Sequence, residues 1–162
     1  MADELEPIID RHTYAIFSEI EGHEKPLIML RLSFARIIDD IIVPFETGKP
    51  FFIDGVPVVK EKIRKIKIIR ETYELKKLLE NLHRNLNTGG QQTQRDIADQ
   101  YHIRVEAILR EKGEDVTSQV VKAFDTTIRP KLKDYLPKRQ ELIQATLVVF
   151  TEALKALGSH NG

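Results

Sequence analysis

No cysteine occurs among the 162 residues of the chain. This absence excludes disulfides, thiolate nucleophiles, zinc ribbons and iron–sulfur ligation. The acidic opening MADELEP lacks the apolar stretch of a signal peptide, and charged residues interrupt every apolar run before it reaches the ~20 residues that a membrane span needs. We therefore expect a cytoplasmic protein with no membrane association.

The chain also lacks a net charge, since 25 Lys and Arg residues balance 25 Asp and Glu residues. Residues 1–59 carry 5 basic and 11 acidic side chains, a net charge of −6, whereas residues 60–77 carry 8 basic and 3 acidic ones, a net charge of +5. An acidic region beside a basic one can pair within the chain or attract a charged partner. The overall balance argues against a protein whose main task is to grip a phosphate backbone.

Familiar catalytic and ligand-binding motifs are absent as well. The sequence has no Gly-rich phosphate loop, no G-x-S-x-G, no H-E-x-x-H and no paired histidines at ligand spacing. Asp39 and Asp40 are adjacent, but neighbouring helical residues point about 100° apart and cannot easily hold one ion together. Arg36 and Asp40 are spaced for an ion pair. We expect no metal and no cofactor, and a structural role for both aspartates.

Apolar residues at helical spacing predict two helices in the first third of the chain. The first covers 7–21, where Ile16 and Ile20 share one face and Gly22 follows as a stop. The second covers 26–45 and is apolar nearly all round, which indicates a helix buried on most sides.

A clear β signal lies at 50–59. Two short apolar runs flank Asp54-Gly55, a pair typical of the type I′ turn of a hairpin. The run 64–69 alternates with period two and could add a third strand. A helix that starts near Lys60 is the alternative, because the isoleucines of this run also keep helical spacing.

The rest of the chain shows helical periodicity interrupted by Gly and Pro. Gly89-Gly90 is the best internal boundary. The predicted helices cover residues 72–87, 91–112, 115–128 and 138–157.

We expect a mainly α fold, a five- or six-helix bundle-like domain with one small β-hairpin. This single domain covers 1–158, with an N-terminal lobe 1–88 that includes the hairpin and a C-terminal helical lobe 91–158. Residues 159–162 are expected to form a disordered tail. The predicted core draws on every helix and consists mainly of Ile16, Ile20, Leu30, Phe34, Ile37, Ile41, Leu79, Leu82, Ile97, Ile108, Val120, Phe124, Leu147 and Phe150.

Within 91–112, Ala98, Ile103 and Ile108 stand where a helix-turn-helix motif places a small residue and two apolar ones. The segment thereby resembles a helix-turn-helix DNA-binding motif, and the resemblance implies a recognition face on the second helix. One continuous helix fits the same residues, because no Gly or Pro interrupts them. Together with the basic stretch 60–77, this face supplies the candidate nucleic-acid-binding residues Lys62, Arg64, Lys65, Lys67, Arg104 and Arg110.

Arg95 and His102 are seven positions apart and would share one face of a helix. The pair resembles the Arg-x(4–6)-His signature of HEPN-type ribonucleases, which implies an all-helical and often dimeric fold. By the same resemblance His102 would act as acid or base and Arg95 would steady the charge of a scissile phosphate. A surface arginine and a surface histidine are the alternative interpretation.

Three classes of function follow from these patterns. We favour a non-enzymatic helical module for protein–protein interaction, an adaptor or regulator that binds another protein or a second copy of itself. Its acidic N-terminal lobe could dock on a basic surface, and the apolar strip of the last helix could pair across a two-fold axis. The alternatives are a helix-turn-helix regulator that binds nucleic acid and a HEPN-like RNase.

Overall fold

The computed structural model describes residues 10–87 and 94–161, and these contain both helices and a substantial antiparallel sheet. The strands are β1 (Tyr14–Ile20), β2 (Leu27–Leu32), β3 (Phe51–Ile53), β4 (Val56–Val58), β5 (Ile63–Arg70) and β6 (Glu114–Asp115). The helices are α1 (Phe34–Ile37), α2 (Val43–Thr47), α3 (Tyr73–Asn87), α4 (Gln94–Lys112), α5 (Thr117–Thr127) and α6 (Tyr135–Asn161). The prediction of a mainly α, bundle-like domain with one hairpin is therefore wrong.

Four strands form the main sheet in the order β2-β1-β5-β6, and every neighbouring pair is antiparallel. β1 lies in the interior of this sheet, with Ser18 opposite Ile66 of β5 and opposite Leu27 of β2. Every residue from Tyr14 to Ser18 is buried, because other elements cover β1 on both faces.

β1 replaces most of the helix predicted over 7–21, of which residues 7–9 lie outside the described ranges. A strand that is covered on both faces carries apolar side chains at consecutive positions, so it lacks the alternation that marks a half-exposed strand. Ile16 and Ile20 are four residues apart, a spacing that places them on one face of a helix and equally on one face of a strand. Gly22, expected to end a helix, instead has a φ of 91° in the turn to β2.

The segment predicted as a helix over 26–45 is a strand in its first part. β2 occupies that part, since a short apolar run suits a strand as well as a buried helix. The helical part begins after Ser33, whose Oγ accepts the Arg36 N–H at 3.2 Å. It continues through a π-helical turn, Ile38–Ile42, into α2.

β3 and β4 form the predicted hairpin. Asp54 and Gly55 have φ values of 51° and 75°, the two left-handed positions that a type I′ turn requires. The run 64–69 is a strand, within β5, but it pairs with β1 rather than with the hairpin. Of the competing helix only a single 3-10 turn forms, Lys60–Lys62.

Two helical layers enclose the main sheet. On one side, which we call the closed face, the hairpin, α1, α2, α5 and α6 pack against the sheet in the larger core. There the rings of Phe34 and Phe150 stack with centroids 5.3 Å apart, and Tyr14 meets both rings edge-on at 6.1 Å. On the other side, the cleft face, α3 and α4 cover the sheet through a smaller core. Its buried residues are Ala15, Phe17, Ile28, Ile69, Leu75, Leu79, Leu82, Val105 and Leu109.

The helices after residue 72 follow the predicted pattern closely, and α4 is continuous through 102. α6 starts earlier than predicted, bends at Lys138 where φ is −111°, and runs to Asn161. Leu142 and Phe150 of its apolar strip are buried within the chain, so these two residues are not available to pair with a second copy. The predicted boundary at Gly89-Gly90 lies outside the described residues.

None of the helices in residues 10–87 and 94–161 has the length and the apolar character needed to cross a membrane.

Candidate functional site

Three of the six predicted nucleic-acid-binding residues meet in one concavity of the cleft face. Lys65 and Lys67 belong to β5, and Arg110 belongs to the last turns of α4. We call this concavity the basic cleft. It has a volume of about 430 Å³, and its lining is completed by Phe17, Ile69, Leu109, Gly113 and Asp115.

The other three candidates lie outside the basic cleft. Lys62 is in the 3-10 turn before β5, and Arg64 alternates with Lys65 and so belongs to the opposite face of the strand. Arg104 is exposed on α4 but is not among the residues that line the cleft. The six residues therefore do not form one continuous basic surface.

Phe17 forms an aromatic floor for the basic cleft. It is the cross-strand partner of Lys67, which places both side chains on the same face of the sheet. Phe17 is buried, with 4% of its surface exposed, and the guanidinium carbon of Arg110 lies 5.9 Å from the centroid of its ring. This cation–π contact holds the arginine over the floor of the cleft.

Gly113 closes one end of the basic cleft by allowing the end of α4 to approach β5. A Cβ atom at this position would lie 2.2 Å from Cγ2 of Ile69 and 2.7 Å from the carbonyl oxygen of Leu109. Any larger residue would therefore push the helix away from the strand.

Glu106 and Asp115 lie beside basic residues of the cleft, and both already have partners. Glu106 pairs with Arg110 at 2.7 Å between Oε1 and Nη2. Asp115 Oδ1 accepts the backbone N–H of Thr117 at 3.1 Å and its hydroxyl at 2.7 Å. Within the described residues Lys65 and Lys67 form no ion pair. Their ammonium groups can therefore meet an anionic ligand.

His102 is bound to the backbone of the β1–β2 turn. Its Nε2 lies 2.7 Å from the carbonyl oxygen of Pro26, and since a carbonyl only accepts, Nε2 carries the proton and donates it. The side chain of Arg95 lies outside the described residues, so the proposed pairing of Arg95 with His102 stays a prediction. The all-helical fold that the HEPN resemblance implies is not the fold of this chain.

The residues that resemble a helix-turn-helix motif do not adopt one. α4 continues through His102, where the motif requires a turn. The continuous-helix interpretation is thus the correct one, and Arg104 and Arg110 lie on a single helix packed against a sheet.

Asp39 and Asp40 have separate structural partners. The Tyr135 hydroxyl donates to Asp39, and burial, assisted by this hydrogen bond, raises the pKa of Tyr135. Asp40 pairs with Arg36 as predicted, at 3.3 Å between Oδ2 and Nε. Across residues 10–87 and 94–161, no group of three or more potential ligand side chains could hold a metal ion.

Two features of the cleft face were not predicted. Phe17 is not on the face that Ile16 and Ile20 share in the predicted first helix, and no local pattern indicates its place under Arg110. Glu71 was counted only as one acidic residue in a basic stretch, yet it is buried and accepts hydrogen bonds from Thr13 and Arg31. These partners are 58 and 40 residues away in the chain, a separation that no local pattern reports.

No protein family, no curated protein and no solved structure matches this chain.

Proposed function

We propose that this protein is a non-enzymatic, cytoplasmic protein-interaction module whose basic cleft binds an acidic segment of a partner protein. The observation that carries the proposal is the convergence of Lys65, Lys67 and Arg110 over the buried ring of Phe17. A cationic rim around an aromatic floor suits a peptide that carries both carboxylates and apolar side chains. Arg110 is suited to bidentate contact with a carboxylate, since its guanidinium presents several donors in one plane.

The charges near the cleft favour a peptide over a nucleic acid. Glu106 and Asp115 border the basic residues, and Glu19 is the cross-strand partner of Lys65. A phosphate backbone, with one charge on every unit, would bring phosphates against these carboxylates. An acidic peptide can place its charges on Lys65, Lys67 and Arg110 and its uncharged residues opposite the three carboxylates. The zero net charge of the whole chain supports the same choice.

The test uses the full chain and three labelled probes: a short peptide of alternating Glu and Leu, the same peptide with Lys in place of Glu, and a single-stranded RNA. Fluorescence anisotropy at low and at physiological salt measures binding of each. We expect the Glu-Leu peptide to bind more tightly than either other probe. Its affinity should fall as salt rises, because the contacts are partly exposed ion pairs.

Charge reversal locates the binding surface. The double variant Lys65→Glu with Lys67→Glu should weaken peptide binding at least about tenfold, which corresponds to about 1.4 kcal/mol. The matched control, Lys62→Glu with Arg64→Glu, makes the same change of charge at the start of β5 and in the turn before it, outside the cleft. We expect it to weaken binding much less.

Three results would overturn the proposal. The first is tighter binding of the RNA than of the Glu-Leu peptide, with the loss again confined to the Lys65 and Lys67 variant; this would assign the cleft to nucleic acid. The second is the absence of peptide binding at low salt. The third is an equal loss in the Lys62 and Arg64 control, which would mean that general charge attraction, and not the cleft, holds the peptide.

A further inference from the structure

Arg31 has a backbone conformation that is unusual for its residue type. Its φ is 59°, in the left-handed region, although it lies inside β2 and not in a turn. The cross-strand pairs on either side of it are Ile16 with Met29 and Tyr14 with Leu32. β2 therefore has two residues where β1 has one, which is a β-bulge with Arg31 at its left-handed position. Glycine is the residue that this position would favour on backbone grounds alone.

A buried carboxylate holds the bulge in place. Glu71, with 2% of its surface exposed, accepts the Arg31 N–H through Oε2 at 3.0 Å and the Thr13 hydroxyl through Oε1. Its own backbone N–H donates to the Thr13 carbonyl oxygen at 2.9 Å. The backbone of Arg31 is thus fixed from the inside of the molecule. Strained residues that the surrounding structure supports in this way cluster at functional sites. The surroundings of the Arg31 side chain therefore indicate what this position does.

The Arg31 side chain is exposed and lies where two concavities of the cleft face adjoin. The larger, of about 710 Å³, lies between β2, α3 and α4, and the smaller, of about 260 Å³, reaches Glu71 and Lys76. Leu79 and Glu80 line both. The larger one shares no lining residue with the basic cleft. It is therefore a separate site.

The lining of the larger concavity combines four kinds of chemistry. Arg31 and Arg84 supply two guanidinium groups, which bind phosphate oxygens in pairs. Leu79 supplies an apolar wall, and Tyr101 supplies an aromatic one whose ring meets His83 edge-on at 6.4 Å. The carboxylate of Glu80 can accept a hydrogen bond from a hydroxyl group.

We propose that this concavity binds a mononucleotide-class ligand, with its phosphate on Arg31 and Arg84 and its base against Tyr101 and Leu79. Glu80 would accept a hydrogen bond from a ribose hydroxyl. The volume of the concavity, about 710 Å³, lies within the roughly 300–1,000 Å³ of sites for small organic ligands. A bare phosphate needs far less space. The inference does not depend on the acidic-peptide proposal, because the two sites have no residue in common.

Calorimetric titration of the full chain with the four common ribonucleoside monophosphates tests the proposal. Adenosine and inorganic phosphate, titrated separately, report the contributions of the base and of the phosphate. We expect at least one mononucleotide to bind, and to bind more tightly than either adenosine or inorganic phosphate. Arg31→Gly should reduce that affinity at least about tenfold, because it removes one of the two phosphate-binding guanidinium groups.

The variants are chosen so that misfolding cannot explain a loss. Arg31→Gly suits the left-handed backbone, so its melting temperature should equal or exceed that of the unmodified chain. Arg104→Ala removes an exposed arginine of α4 that lies outside this concavity, and it should leave the affinity unchanged. Arg31→Lys keeps the charge but loses the planar fork, so an intermediate affinity is expected.

The proposal is overturned if no mononucleotide binds the unmodified chain, or if Arg31→Gly binds as well as the unmodified chain does. It is also overturned if inorganic phosphate or adenosine alone matches the affinity of the mononucleotides, because then the site does not read both parts of the ligand.

Discussion

The two faces of the main sheet are built differently. The closed face is covered by four helices and a hairpin, which meet the sheet in a continuous apolar core with an aromatic centre at Tyr14, Phe34 and Phe150. Among residues 10–87 and 94–161, α3 and α4 are the helices that cover the cleft face, and its core is smaller. Both binding sites proposed above lie on the cleft face. Concavities lie between these helices and the sheet, and charged side chains line them.

Within one sheet, the closed face supplies most of the apolar core and the cleft face carries the proposed binding sites. Consecutive strand residues point to opposite faces, so β1 contributes Tyr14 and Ile16 to the closed face and Phe17 to the floor of the basic cleft. β5 similarly places Ile68 in the larger core and Lys67 in the cleft. The closed face can therefore hold the sheet rigid while the other face presents charge.

Removal of an aromatic ring from the closed face should have the largest effect. Phe150 is 1% exposed and stacks on Phe34. We expect Phe150→Ala to lower the free energy of unfolding by about 3–5 kcal/mol, because it removes buried surface and leaves a cavity. Urea titration followed by circular dichroism measures the change. A loss below about 1 kcal/mol would show that the closed face is not the main source of stability.

Gly113→Ala tests the close packing that ends the basic cleft. The added methyl would collide with Ile69 and with the Leu109 carbonyl group, so α4 must move away from β5 at a cost of about 1–3 kcal/mol. Gly48→Ala is the contrasting variant, because its site is open within 4 Å but its φ is 73°. We expect Gly113→Ala, and not Gly48→Ala, to weaken binding of the Glu-Leu peptide as well. Equal peptide affinity in the two variants would contradict this geometry.

Because Tyr14 of the closed face is buried, the free energy of unfolding should fall at alkaline pH. Burial, and secondly its hydrogen bond to Asp10, raises the pKa of Tyr14 far above the ordinary value of 10.0. The unfolded chain therefore releases this proton above about pH 10 while the folded chain retains it. The contribution is complete below pH 10 and is lost as pH rises, by about 1.4 kcal/mol per pH unit. Urea midpoints measured from pH 8 to about pH 11 should fall more steeply for the unmodified chain than for Tyr14→Phe, and parallel slopes would refute the assignment.

The sequence predicted the helices after residue 72 and the Asp54-Gly55 hairpin because their signals are local. Helical spacing, a left-handed turn pair and flanking Gly or Pro act within a few residues. β1 was missed because its burial on both faces comes from helices distant in the chain, and that burial removes the alternation of a strand. Many apolar residues were still assigned correctly to the core, since Ile16, Phe34, Phe124 and Phe150 are all buried, whereas Leu30 and Ile108 are only partly buried.

The candidate sites were only partly predictable for the same reason. The basic character of Lys65 and Lys67 is visible in the sequence, but their meeting with Arg110 over Phe17 depends on the pairing of β1 with β5 and on the position of α4. The bulge at Arg31 depends on a carboxylate 40 residues away. Contacts of this range are set by the whole fold and not by local periodicity.

The smallest effect is expected at a polar contact that attaches α4 to the sheet. On the closed face the helices are held chiefly by apolar packing, whereas α4 is also tied to the β1–β2 turn by the hydrogen bond of His102 to Pro26 and by the ion pair of Lys25 with Asp99 at 2.5 Å. We expect His102→Ala to cost about 0.5–1.5 kcal/mol, and Lys25→Ala less, since exposed ion pairs contribute little.

Amide hydrogen exchange shows whether His102→Ala destabilises α4 alone or the whole chain. If the polar contacts attach α4 independently of the larger core, His102→Ala should accelerate exchange in α4 while leaving exchange in β1 and α6 unchanged. Faster exchange throughout the chain would instead mean that the two faces unfold as one unit. The two faces would then differ in the side chains that they present but not in the free energy at which they open, because both layers would open together.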